Sequence, residues 1–143
     1  MSVMELESTR STRSTADGLD ALGSDRCRVR LARGTRGRAA LEVYVHGGLY
    51  DVTVADGFAP SLLRGAVRGR GWAVAWGQLP PGGAPVRVTF TGRRVDLPAD
   101  VRVFGDRFWV AVADVRARSV VVSAASERVT SRLRTVRRRS PRP

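Results

Sequence analysis

The chain offers one histidine and one cysteine among 143 residues, so any chemistry has to be assembled from few parts. The fullest constellation is Tyr44, His46 and Asp51, which flank the dipeptide Gly47-Gly48. With that dipeptide as a two-residue hairpin turn, His46 pairs with Leu49 and Tyr44 with Asp51, leaving His46 and Asp51 diagonal neighbours on one face. An imidazole beside a carboxylate is the pairing that general acid and base catalysis uses. Nothing in the sequence completes it. There is no nucleophile elbow, no spaced set of metal ligands and no phosphate-cradling glycine loop, and a single histidine does not supply the usual zinc clusters. The three residues read as a weak polar cluster on a solvated face, and no catalytic residue, metal or cofactor is expected. Cys27 lies between Arg26 and Arg28, neighbours that lower the pKa of an exposed thiol. On an alternating strand, however, it shares the face of Val29 and Leu31 and reads as a buried, inert thiol that forms no intrachain disulfide.

Arginine is the other residue type abundant enough to matter. All 25 basic residues are Arg, against 13 acidic ones, for a net charge of +12. Lys, Ile and Asn are absent, which a GC-rich coding sequence explains, so the choice of Arg over Lys carries no functional message of its own. The distribution does. Residues 26–40 carry +6 and residues 128–143 carry +7, whereas residues 41–113 carry only +2 and residues 1–25 carry −3. Candidate contacts to a polyanion are therefore Arg26, Arg28 and Arg30 at the start, with Arg132, Arg134, Arg137, Arg138 and Arg139 near the end. A short RGRG run at 68–71 offers a further RNA-binding reading, carried by two RG units alone.

Positioning these groups is the work of strands. Residues 41–55, LEVYVHGGLYDVTVA, alternate strongly enough to specify a hairpin with Leu41, Val43, Val45, Tyr50, Val52 and Val54 on a buried face. Residues 26–32 form an arginine-faced strand expected at a sheet edge. WAVAW at 72–76 sets Trp72, Val74 and Trp76 against an alanine face small enough for another layer to approach. Residues 86–91 alternate again, 95–100 with Pro98 suit an edge or a connection, and 118–123, which contain SVVVS, suit a central strand. A second hairpin turns at Gly105-Asp106, burying Val101, Val103, Phe108, Val110 and Val112 and laying Arg102 over Trp109 as a cation–π pair. Residues 57–71 read as a helical turn or an irregular crossing, 17–23 as a brief turn, and 128–136 as a strand in preference to a helix.

Seven to nine short strands with glycine and proline turns specify an all-β protein, an antiparallel sandwich with an immunoglobulin-like layout, the runner-up being a barrel. The domain spans 25–136, with a low-complexity tail at 1–24 and a basic tail at 137–143. The chain contains no apolar run of membrane-spanning length and no signal-peptide core, so a cytoplasmic location is expected. The preferred function is a non-catalytic module that binds another protein. Sequence-nonspecific nucleic-acid binding through arginines is the alternative, together with association with an acidic surface. A further alternative is the soluble part of an envelope protein whose start codon is mis-assigned. Fold alone does not choose among them.

Overall fold

The computed structural model describes residues 20–21, 26–55 and 61–136. The expectations for the two tails otherwise lie outside the described residues. Among the described residues thirteen strands form three sheets. The first sheet is a meander of β1 (Asp20–Ala21), β2 (Cys27–Arg33), β3 (Ala39–Val45) and β4 (Gly48–Val54), in that order. The second runs β13 (Arg134–Thr135), β5 (Gly65–Gly69), β6 (Trp72–Gln78), β10 (Phe108–Ala113) and β9 (Val101–Phe104). The third runs β12 (Glu127–Arg132), β11 (Ser119–Ala124), β7 (Arg87–Gly92) and β8 (Val95–Ala99).

The protein is all-β and sandwich-like, but with more strands than expected and three layers instead of two. The second sheet is the middle layer, because its side chains enter two cores. Cys27, Val29, Leu41, Val43 and Val45 of the first sheet meet Val67, Trp72, Val74, Trp76, Phe104, Phe108 and Val110. On the other side Ala73, Ala75, Trp109, Ala111 and Ala113 meet Val88, Phe90, Val120 and Val122 of the third sheet. Every residue of β6 is buried as a result. The alanines do what their size suggested, giving the valines and phenylalanine of the facing sheet room to approach. Successive hairpins alternate between the layers: β5-β6 in the second sheet, β7-β8 in the third, β9-β10 in the second, β11-β12 in the third. β6 pairs with β10 and β7 with β11, both antiparallel, so β5–β8 and β9–β12 repeat one topological plan. This differs from the seven-stranded, two-sheet immunoglobulin layout.

Several expectations hold. Pro98 lies on β8, an edge strand, β11 is internal, and β12 is a strand. Others need correction. β2 is flanked by β1 and β3 and is not at an edge, and β5 occupies part of the stretch read as a helical turn or crossing. Both hairpins shift by one residue. In the first, the turn is His46-Gly47, with φ of 52° and 83°, and Val45 pairs with Gly48. Positive φ at both central residues defines a type I′ turn, and histidine tolerates the left-handed region better than most residues. A bulge then places Val43 opposite Asp51 and Leu41 opposite Thr53. Val52 consequently points outward and is 43% exposed, while Thr53 is buried. In the second hairpin a three-residue turn, Gly105 to Arg107, pairs Phe104 with Phe108 and Val103 with Trp109. Phe104 joins Phe108 and Val110 in the first core, whereas Val101 packs with Trp109 against the second.

The reason for the first shift is polar. Trp76 is buried and its indole N–H requires an acceptor. Asp51 Oδ2 accepts that N–H at 3.0 Å and the hydroxyl of Thr53 at 3.0 Å. The register that buries Val52 and Val54 would carry this acceptor to the opposite face.

Candidate functional site

The polar cluster expected at Tyr44, His46 and Asp51 does not assemble. Asp51 is bound to Trp76, and the Tyr44 hydroxyl donates to Glu42 Oε1 at 2.9 Å on the outer face of the first sheet. The Tyr44 phenol pKa is raised, first by that hydrogen bond. His46 stands edge-on to Trp72, ring centroids 5.7 Å apart. Trp72 and Trp76 are four strand residues apart, about 13 Å along the strand, so the partners of His46 and Asp51 lie at different levels of the sheet. Cys27 is buried as expected, and burial pushes its thiol from 9.0 up to about 12, which leaves no reactive thiolate near neutrality. Trp109 is fully buried and donates its Nε1 to the Leu62 carbonyl at 2.7 Å. Arg102 opposes Val110 on the other face of the sheet, so the expected cation–π pair with Trp109 is corrected.

Arginines, by contrast, converge. Among the described residues, an open cleft of about 1640 Å³ is lined by Arg26, Arg68, Arg70, Arg93, Arg116, Arg118 and Arg132, and by no acidic residue. These come from five separate segments: the turn residue before β2, the end of β5 with its turn, the β7-β8 turn, the β10-β11 loop and the end of β12. His46 and Trp72 form part of the wall, but Trp72 is only 3% exposed. Arg26 is paired with Asp114 at 3.1 Å. Among the described residues, no hydrogen bond or ion pair engages the side chains of Arg68, Arg70, Arg93, Arg116, Arg118 or Arg132. A concave wall bearing one sign of charge focuses its field and concentrates counter-ions.

Of the arginines singled out in the sequence, Arg26 and Arg132 reach this cleft. Arg28 and Arg30 alternate with buried Cys27 and Val29 and point outward from β2, where Arg30 lies 3.9 Å from Glu42. Arg134 is exposed on β13 and does not line the cleft. Arg137, Arg138 and Arg139 lie outside the described residues and follow Val136, a residue of the cleft wall. The residues missed are Arg93, Arg116 and Arg118, with Arg68 and Arg70 noticed only as part of RGRG. Their shared signal is position in or beside a turn, which a charge sum over the neutral middle of the chain averages away.

Compared with family models, curated proteins and solved structures, the chain finds no match. Among the described residues no helix is long and apolar enough to cross a membrane.

Proposed function

We propose that the protein is a non-catalytic binding module whose arginine cleft holds the phosphate backbone of a nucleic acid, largely without regard to sequence. One observation carries this reading: seven arginines from five segments face one cavity, six of them with no partner among the described residues. Guanidinium forks match phosphate oxygens in geometry as well as charge. A protein partner was the reading preferred from sequence, but protein interfaces deplete charge at their centres and anchor on exposed aromatic and apolar groups. Here the large apolar lining residues Trp72 and Leu133 are themselves buried, and Val136 is half-buried. The same fact argues against base stacking, which needs an open aromatic face. Contacts made only to phosphates position a strand without reading its bases.

The test is fluorescence anisotropy with labelled 20-nucleotide single-stranded RNA and DNA at 50 and 200 mM salt. Roughly four to seven phosphate contacts at about −0.7 each predict a log–log salt slope of about −3 to −5. Arg70→Ala combined with Arg118→Ala lowers its magnitude by about 1.4. Deleting the arginine-rich segment after Val136 lowers it further. Binding of a polyglutamate peptide in preference to either oligonucleotide, or no salt-dependent binding, overturns the proposal.

A further inference from the structure

Within the cleft the arginines are not equivalent. Arg68 alternates with Val67, which faces the first core, so its side chain shares the face of Ala66 and runs between the second and third sheets. β5 holds it there from both sides: Arg68 pairs with Ala73 of β6 and with Thr135 of β13, and its carbonyl accepts the Val136 N–H at 2.8 Å. Arg70, by comparison, sits exposed in the following turn. The Nε of Arg68 is buried and has no hydrogen-bond partner, the only such side-chain atom among the described residues. A buried donor without an acceptor is costly, and more so on a charged group. Folding would be better served there by an apolar side chain of similar length, yet an arginine stands in the wall of a cleft that gathers positive charge.

We infer that Arg68 is the anchoring residue of a discrete phosphate subsite, holding one phosphate group of the bound strand through its guanidinium fork, while the exposed arginines act as a diffuse positive field. This rests on the nucleic-acid reading of the cleft and adds a division of labour to it. Arg68 as a whole is half-buried with its Nε covered, and a guanidinium held this way by its strand offers its fork to an oxyanion in a restricted orientation, so the interaction depends on the fork and not on charge alone. Exposed Arg70 and Arg93 keep their side-chain freedom, and a lysine ammonium at those positions does nearly the same work.

Two measurements on the full chain test this. In the oligonucleotide titration, Arg68→Lys is expected to weaken binding about tenfold, whereas Arg70→Lys and Arg93→Lys stay within about twofold. In thermal unfolding without any polyanion, Arg68→Met is expected to melt a few degrees above the parent, because it removes the orphaned donor while keeping a stem of similar length. With 10 mM pyrophosphate as the probe, the parent gains melting temperature and Arg68→Met does not. Equal losses for the three lysine variants, or a lower melting temperature for Arg68→Met in the absence of anion, overturn the subsite. If the parent shows no salt-dependent oligonucleotide binding but pyrophosphate still protects it in an Arg68-dependent way, the nucleic-acid reading fails and the phosphate subsite stands.

Discussion

At the scale of the residue, the most informative side chain outside the cleft is Asp51. Its sequence neighbours place it naturally on a solvated hairpin face beside a histidine. In the fold it is the acceptor that lets Trp76 be buried without an orphaned indole N–H, and Tyr50 stacks edge-on against the same ring at 6.0 Å. Hydrogen bonds to charged acceptors contribute about 1.5 to 3 kcal/mol. Asp51→Ala is therefore expected to lower the unfolding free energy by about 2 kcal/mol in urea titrations, and Asp51→Asn, which keeps an amide oxygen, by less than half of that. A loss below about 0.5 kcal/mol for the alanine variant is what an ordinary surface substitution gives and would show that the network is dispensable. The pairing is a choice between two uses of one carboxylate, and burial of an indole outweighs partnership with the His46 imidazole.

At the scale of the element, the β5-β6 ribbon depends on two glycines. Gly65 pairs with Trp76 and Gly69 with Trp72, and in each case a Cβ on the glycine would enter the space of the opposing indole. Each ring lies across its glycine, a cross-strand arrangement in which the aromatic covers backbone that would otherwise be left bare. Overpacking of this kind costs about 1 to 3 kcal/mol, so Gly65→Ala and Gly69→Ala are both expected to lower the denaturation midpoint clearly. Gly48 supplies the control: a Cβ there meets only the Val45 carbonyl oxygen at 3.9 Å, and Gly48→Ala should change stability by about 0.5 kcal/mol or less. Equal effects at all three positions would mean that strand entropy, not contact with the indoles, sets the cost. The ribbon matters to the cleft because Gly69, Arg70 and Gly71 line it and Arg68 is held by the strand pairing immediately before them.

At the scale of the whole molecule, the middle sheet belongs to both cores, so neither outer sheet has an apolar partner without it. Hydrogen exchange under native conditions is accordingly expected to give the slowest amides of β3, β6 and β11 one common opening free energy. A distinctly lower value for β3 would make the first sheet a separate cooperative unit and sink the expectation. The class of fold was legible from alternation alone, because a strand half in water writes its two faces directly into residue order; RCRVRLA and VRVTF each did so. The internal position of β11, the edge position of Pro98 and the burial of Cys27 follow from the same local logic. Register did not, since a turn of two residues and one of three fit the same letters, and the choice at the first hairpin was made by an indole on a different sheet. Nor did the third layer, because an alanine face says only that something approaches closely. The cleft is the furthest from local reading: Arg26, Arg68, Arg93, Arg118 and Arg132 are scattered along the chain and become neighbours only when turns from three sheets are brought to one place. Residue order set which side chains must be hidden, a matter of each strand with water; which charges meet was decided by packing between strands distant in sequence.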